Sequence, residues 1–259
     1  MPKHNPQHEI PLAPTRTRSG PFDLGLLRST QNHWDICGLY LFLAPLIGRD
    51  AAIALLLNYN IGVSRWLGGS TIFFLADSGH PSDGFLGAYL FNIDHTTGRS
   101  ALPIYTTVHD RLWDLYGVDA GKLPQPQPLI GTHLVHKDPS NPVIITRHPS
   151  IAILLSHVLP DYTVLAVGEL DFIDLNCPAY IPALPTRQPI IMLAEPGDEE
   201  EWHSMMPHLI SCVSHRGQSI HYLAISSLPG YAGDSARTIL NHPEQVKALI
   251  ENLIVCKAI

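Results

Sequence analysis

The second half of the chain alternates short, mostly apolar segments with segments of helical character, and this alternation constrains the fold more than any other feature. The apolar segments are Val143–Thr146, Tyr162–Val167, Ile190–Leu193 and Ser219–Ile225. Strands of a parallel sheet have this composition because helices cover both faces of the sheet. Helices are predicted at Ser150–Val158, Glu199–Val213, Asp234–Leu240 and Pro243–Val255. We therefore predict an α/β domain over residues 129–259, with a central, mostly parallel sheet flanked by helices.

Two prolines bear on these helices. Pro149 suits the first turn of a helix, where its missing N–H removes no hydrogen bond. Pro207 lies inside the predicted helix Glu199–Val213. A proline in a helix interior removes a hydrogen bond and clashes with the preceding turn, so we predict a kink or a split there.

The first half has a different pattern, which predicts an α+β region over residues 31–122. Ala51–Tyr59 is rich in alanine and leucine and predicts a helix, with Asp50 as its N-cap. Thr71–Ala76 and Gly87–Asp94 are rich in β-branched and aromatic residues and predict an antiparallel pair. The turn Asp94–Arg99 follows, where Gly98 can take a positive φ.

Proline marks both ends of this first region. Residues 1–30 hold five prolines and three arginines but only two acidic residues, which is typical of a flexible basic arm. The proline-spaced stretch Leu123–Pro128 is stiff and extended, and it marks the boundary before the α/β domain.

Composition excludes several classes of protein. Hydrophobic residues make up 45% and charged residues 15% of the 259 residues, which excludes a wholly disordered chain. The net charge of −7 argues against a strongly basic nucleic-acid binder, although 15 histidines make that charge sensitive to pH. No apolar run is long enough for a membrane span and no signal core begins the chain, so we expect a cytoplasmic protein without membrane contact. Four scattered cysteines without a paired spacing indicate neither disulfides nor a metal site.

Seven segments of the chain, in order, resemble segments of a known family. Asn60–Ser64 with Gly69–Phe74 resembles "IGTS…ATVFW", Asn92–Arg99 resembles "YDPATGRR", Gly131–Val135 "GEHLL", Val143–Ala152 "VAIVESEKTA", Leu165–Glu169 "LATGG", Ile190–Trp202 "VILFPDLNGFEKW" and Asp234–Leu240 "DIADYLL". These segments belong to toprim-containing, primase-like proteins of unknown function from bacterial mobile elements, which usually carry a zinc ribbon that this chain lacks. The resemblance implies a toprim-like fold for the α/β domain and a role in DNA transactions, with DNA or a replication or mobilisation protein as partner.

The resemblance also implies a magnesium site of clustered carboxylates, and here the chain departs from the family. Arg147 stands in place of the first glutamate, and His148 follows it. The residual acidic candidates are Glu195 in the aspartate position, Asp198 offset by one residue, and Asp234, whose partner position holds Arg237. A guanidinium can neither bind Mg²⁺ nor accept a proton. The pattern therefore indicates a degenerate member without a catalytic glutamate, a metal or another cofactor, unless the residual acidic cluster still holds Mg²⁺.

Three interpretations of this exchange stay open. Arg147 can pair with Glu195 or Asp234 as a structural bridge. Alternatively Arg147, His148 and Arg237 can form an anion or nucleic-acid site, since arginine binds phosphate well. Lastly, Glu195, Asp198 and Asp234 can retain metal-dependent chemistry. These interpretations lead to three functions. We favour a non-enzymatic accessory in DNA transactions of a mobile element. The alternatives are an interaction or structural protein without nucleic-acid binding, and an active Mg²⁺-dependent nuclease or primase.

Overall fold

The structure is a computed structural model, and it describes residues 24–65, 68–76, 85–100, 129–168, 184, 186–214 and 217–255, with the backbone of 106–107. The predicted boundary at 123–128 and the first 23 residues of the predicted arm lie outside these ranges. The labels below number the described elements in chain order.

The first region combines helices with an antiparallel sheet. Its helices are α1 (Leu24–Thr30), α2 (Gly38–Ile47) and α3 (Arg49–Asn58), and its strands are β1 (Ile61–Ser64), β2 (Ser70–Ala76), β3 (Phe85–Phe91) and β4 (Thr106–Thr107). The strands pair antiparallel in the order β1-β2-β3-β4. The predicted pairing of the two aromatic-rich strands is confirmed, with Thr71 opposite Phe91.

Two details of the first region differ from the sequence-based expectation. Asp50 is not a helix cap, because α3 begins at Arg49 and Gly48 is the single residue between α2 and α3. Gly48 also ends α2, because its N–H donates to the carbonyl of Ala44. Gly48 is therefore the N-cap position of α3, and Asp50 lies within the first turn of that helix. The helix α1 begins within the stretch predicted to be a flexible arm, and Leu27 of α1 is buried with residues of β2 and β3.

The second region confirms the predicted fold class. Its strands are β5 (Val143–Thr146), β6 (Thr163–Ala166), β7 (Ile190–Ala194) and β8 (Ile220–Ala224), which form one parallel sheet in the order β6-β5-β7-β8. Its helices are α4 (Thr132–Lys137), α5 (Pro149–Val158), α6 (Glu199–Ser214), α7 (Ser235–Asn241) and α8 (Pro243–Val255). None of the helices in the described part of the chain has the length and apolar character that crossing a membrane requires.

The parallel strands are mostly apolar because each face of the sheet packs into a separate core. Ile144 and Ile191 point to one face and belong to a cluster that also contains Phe73 of the antiparallel sheet. Ile145 and Met192 point to the other face and pack in the cluster around α6. Neighbouring residues of a strand therefore meet different partners, and every position of β5, β6 and β7 is buried, whereas Tyr222 and Ala224 of the edge strand β8 are partly exposed.

Helix α6 does not split at its proline. It runs from Glu199 to Ser214 as one helix with Pro207 inside, so the predicted split is wrong. Pro207 deprives the carbonyl of His203 of its helical hydrogen bond, and both residues lie on the exposed side of the helix. Water can satisfy that carbonyl there, while Leu209 and Val213 on the opposite side stay packed in the core.

Candidate functional site

The six candidate residues lie at the carboxyl edge of the parallel sheet. They follow β5 (Arg147, His148), follow β7 (Glu195, Asp198) or stand at the start of α7 (Asp234, Arg237). The chain leaves β5 for β6 on one side, and β7 lies on the other side of β5. Ligands of open α/β sheets bind at such a switch point, outside the carboxyl ends of the strands.

Arg147 and Asp198 form a close ion pair at this edge. Nη1 of Arg147 lies 2.5 Å from Oδ1 of Asp198, and the two side chains are 23% and 5% exposed. A turn brings Asp198 to this place: its N–H donates to the carbonyl of Glu195, and Gly197 has a φ of 95°. Burial raises the pKa of Asp198 above its usual range, and the Arg147 guanidinium opposes that rise. Within the described residues the ion-pair partner of Arg147 is thus Asp198, and the expected bridge to Glu195 or Asp234 is corrected.

Glu195 is buried beside this pair and meets a second arginine. Its Oε1 accepts hydrogen bonds of 3.4 Å from the Thr146 hydroxyl and from the backbone N–H of His148. Its Oε2 lies 3.9 Å from Nη2 of Arg99. Burial raises the pKa of Glu195 to about 7, although Arg99 opposes the shift. Glu195 can therefore gain or lose a proton near neutral pH.

His148 stands at the N-cap position of α5 and carries no charge at neutral pH. Burial lowers the pKa of His148 to about 3, and the guanidinium groups of Arg147 and Arg99 add to the effect. An uncharged imidazole attracts an anion far less than an imidazolium does. His148 therefore contributes its backbone N–H, which binds Glu195, and not a positive charge.

Asp234 and Arg237 interact within the first turn of α7. Oδ1 of Asp234 accepts the backbone N–H of Arg237 at 3.0 Å, which caps the helix. Its Oδ2 lies 3.4 Å from Nε of Arg237, and both side chains are largely in solvent. The Asp234 carboxylate is thus occupied by its own helix.

A cavity of about 510 Å³ joins several of these groups. Glu195, Asp234 and Arg237 line it from the parallel-sheet region. The first region supplies Arg99 and an apolar wall from α2 that includes Phe42. Arg147, His148 and Asp198 are not among the lining residues and lie beside the cavity. The structure thus divides the predicted site into a closed ion pair and an open cavity.

The turn before Arg99 holds this residue at the cavity. Oδ1 of Asp94 accepts the N–H groups of Thr96 and Thr97 at 2.8 and 2.9 Å. These bonds and those of the threonine hydroxyls lower the pKa of Asp94 to about 2. Gly98 has a φ of 69°, and a Cβ at this position would lie 2.5 Å from the ring of Phe42. Arg99 was missed as a site residue, although it lies in the segment resembling "YDPATGRR" and could have been noticed there.

The described residues do not fit the magnesium site that the resemblance implies. Mg²⁺ requires oxygen ligands in an octahedron at about 2.0–2.1 Å, mostly from carboxylates and water. A guanidinium lies against Asp198 and another approaches Glu195, while Asp234 caps its helix. Across the described part of the chain, no three His, Cys, Asp or Glu side chains are grouped so as to hold a metal ion.

With this geometry in view, the chain can be compared with known proteins. The RNA polymerase domain of the primase DnaG from Mycobacterium tuberculosis, solved in complex with double-stranded DNA, matches with a TM-score of 0.51 and 9% identity. The match covers 89% of this chain and 77% of that chain, and at this identity it concerns the fold alone. None of the curated proteins matches the chain.

The family comparison is more direct. A model of a domain of unknown function, DUF6371, matches residues 38–181, which is more than half of the chain. The matched range includes Arg99, Arg147 and His148, and it ends before Glu195, Asp198 and Asp234. Together with the primase-like fold, this match assigns the chain: it belongs to the DUF6371 family.

Proposed function

We propose that the protein is a catalytically degenerate, primase-like protein that binds nucleic acid without metal-dependent chemistry, as an accessory in DNA transactions. One observation carries the proposal: Nη1 of Arg147 lies 2.5 Å from Oδ1 of Asp198, at the strand ends where the resemblance implies magnesium. A guanidinium at that distance occupies the carboxylate that a metal ion would need. The chemistry left to this edge is ion pairing and anion binding.

Two further observations support nucleic acid as the ligand class. A structural neighbour of this chain, the RNA polymerase domain of a primase, was solved with double-stranded DNA. The cavity beside the ion pair presents Arg99 and Arg237, and arginine is the side chain best suited to phosphate. The net charge of −7 instead favours an interaction protein without nucleic-acid binding, so the experiment must separate the two.

Binding to a fluorescent single-stranded oligonucleotide, measured by anisotropy over a range of salt concentrations, separates these functions. We expect saturable binding whose affinity falls as salt rises, because each neutralised phosphate releases condensed counterions. Mg²⁺ should not strengthen binding relative to EDTA at matched ionic strength. Absence of binding at low salt, with the protein folded by circular dichroism, would support the interaction protein instead.

An activity assay tests the degenerate part of the proposal. We expect neither primer synthesis nor strand nicking when Mg²⁺ or Mn²⁺ is added. Activity in the wild type that disappears in Glu195→Ala and persists in Glu200→Ala would contradict the proposal and restore the active nuclease or primase. Glu200 is a suitable control because it is exposed and lies outside the cavity lining.

The finer parts of the sequence-based interpretation belong to the same proposal. They are a bacterial mobile element as the genetic setting, the cytoplasm as the compartment, and DNA or a replication or mobilisation protein as the partner. Fractionation of cells that express a tagged full-length chain, with and without nuclease treatment, tests the last two. If the chain sediments with DNA before nuclease treatment and no longer does so afterwards, the result supports DNA as its partner.

A further inference from the structure

The cavity has the form of a small-ligand site between the two regions of the molecule. Its volume of about 510 Å³ lies within the range of ligand pockets, roughly 300–1,000 Å³. Arg99 reaches it from the turn after β3 and Arg237 from the start of α7. The two side chains are 52% and 77% exposed, so a ligand in solution can reach both.

The arginine of the first region is only loosely engaged. Nη2 of Arg99 lies 3.9 Å from Oε2 of Glu195, which is longer than a hydrogen bond. A guanidinium presents five donors in a plane, and two oxygens of one phosphate group can accept two of them at once. Phe42, Pro45 and Leu46 form the apolar wall nearby, and such a wall strengthens an ionic contact by excluding water.

The carboxylates of the cavity oppose anion binding to different degrees. Asp234 is already engaged by the backbone N–H and Nε of Arg237. Glu195 faces Arg99 directly and, when ionised, competes with any anion for that guanidinium. With both carboxylates ionised, the charges of Glu195 and Asp234 cancel those of the two arginines, so removing the Glu195 charge leaves a net positive charge on these four side chains. His95 is the remaining titratable side chain among the described residues that line the cavity.

We propose that this cavity is a metal-independent site for a phosphate group of nucleic acid, with Arg99 and Arg237 as its ligands and Glu195 as an internal competitor for Arg99. The inference rests on the proposed function and names the chemical group that the protein binds. It replaces the sequence-based set of Arg147, His148 and Arg237, because Arg147 is engaged by Asp198 and His148 is uncharged.

The test compares arginine variants in oligonucleotide binding. We expect Arg99→Ala and Arg237→Ala each to weaken binding of a fluorescent twelve-residue oligothymidylate about tenfold, and to reduce the salt dependence by about one phosphate contact. Arg187→Ala is the matched control. Arg187 is exposed and precedes β7, at the opposite edge of the sheet, so its removal should leave affinity within twofold.

A second pair of variants tests the competitor. Glu195→Gln keeps the shape of the side chain and removes its charge, so we expect affinity to rise about fivefold at pH 8. Glu200→Gln makes the same change of net charge at an exposed position outside the cavity and should have no such effect. Equal strengthening by both variants would show a general charge effect and overturn the role of Glu195.

Two probes identify the source of the phosphate. If a 5′-phosphorylated oligonucleotide binds more tightly than its 5′-hydroxyl form, and Arg99→Ala removes the difference, the site takes a terminal phosphate. If the two forms bind equally and both arginine variants weaken them equally, the site takes a backbone phosphodiester. Either outcome supports the site, and inorganic phosphate should compete with the oligonucleotide in both.

The proposed function and this inference can fail separately. If the wild type binds DNA and Arg99→Ala and Arg237→Ala behave like Arg187→Ala, the inference is wrong and the proposed function stands. If inorganic phosphate binds and depends on Arg99, but no oligonucleotide binds, the phosphate site stands and the nucleic-acid role is wrong. If neither probe binds the folded wild type, both are wrong.

Discussion

Two arginine–carboxylate contacts lie within one edge of the same sheet, and they differ in almost every physical respect. Arg147 and Asp198 meet at 2.5 Å with Asp198 nearly inaccessible. Arg99 and Glu195 are 3.9 Å apart, with the guanidinium half exposed at a cavity. A buried charge depends strongly on a close partner, whereas a partner that is more distant and half exposed contributes less. The comparison teaches that the first contact closes an arginine to ligands, whereas the second leaves an arginine available to a ligand.

The largest effect should come from breaking the buried pair. Arg147→Met leaves the Asp198 carboxylate without its cation, so we expect the free energy of unfolding to fall by about 3 kcal/mol. Urea denaturation at pH 7.5 measures this. Asp198→Asn in the same chain should recover part of the loss. Arg99→Met is the matched control and should cost less, about 1 kcal/mol, because its guanidinium is half exposed and lies 3.9 Å from a Glu195 carboxyl that can take up a proton when the cation is removed. Equal losses from both substitutions would remove the distinction between the two contacts.

A pH series sharpens the comparison at Glu195. The carboxyl has a pKa of about 7 in the folded protein against an ordinary value of 4.5, so the folded state holds more protons between these values. The protonated Glu195 carboxyl therefore stabilises the folded state fully below pH 4.5. This stabilisation, about 2 to 3 kcal/mol, is lost as the pH rises through about 7. Glu195→Gln should remove this part of the pH dependence.

The contribution of Glu195 is the difference in the free energy of unfolding between the wild type and Glu195→Gln at each pH. This difference is needed because His148 changes the stability with pH in the opposite direction. Its pKa falls from 6.5 to about 3 in the folded protein, so His148 contributes stability above pH 6.5 that is lost as pH falls. Denaturation curves at half-unit steps from pH 5 to 8 measure both proteins. Parallel stability profiles for the two would contradict the assignment of the shift to Glu195.

The positioning of Arg99 can be tested at Gly98. An alanine there meets both an unfavourable positive φ and the ring of Phe42, so Gly98→Ala should destabilise by about 2 kcal/mol. Gly217 has nearly the same φ, 68°, and no atom of the described residues beyond its chain neighbours lies within 4 Å of an added Cβ. Gly217→Ala should therefore cost only about 1 kcal/mol. Thermal unfolding of both variants isolates the contact with Phe42, and equal losses would show that this contact does not constrain the turn.

The smallest expected effect concerns Asp234, whose carboxylate takes part in neither of the two arginine–carboxylate contacts compared above. Asp234→Ala removes the cap of α7 and should cost about 1 kcal/mol of the free energy of unfolding. Asp161→Ala breaks an exposed ion pair with Lys247 and should cost less than about 0.5 kcal/mol. Chemical denaturation of the two variants decides whether Asp234 has a structural role. If Asp234→Ala is no more costly than Asp161→Ala, its carboxylate is free to act in the cavity.

The strands of the parallel sheet were predictable because burial on both faces leaves a local trace in the sequence. Val143–Thr146 is a strand with the predicted bounds, and Pro149–Val158 is a helix that begins at its proline. The sequence pattern does not predict helix α2, because the helix is apolar on nearly every side and contains Pro45. Its burial comes from packing with distant residues such as Ile93 and Ile151, and no local pattern records that.

The position of the site in the fold could be predicted from the sequence, but the ion pairs within it could not. Six residues at the ends of successive parallel strands must share one edge of the sheet, so their approximate position followed from the strand order. The partner of Arg147 depended on the turn at Gly197, which turns Asp198 back toward the strand ends. Arg99 comes from the antiparallel region, nearly a hundred residues before Glu195, and only the packing of the two regions brings it there.

The amino-acid sequence by itself determined which segments become strands of the parallel sheet, because short apolar runs rich in β-branched residues favour strands that are covered on both faces. It also determined that a guanidinium, that of Arg147, directly follows β5. The tertiary structure alone decided which acid meets which arginine and which pair is closed to water. Those outcomes depend on distance and burial, and the strength of an ionic contact follows from these two quantities more than from the residue types involved.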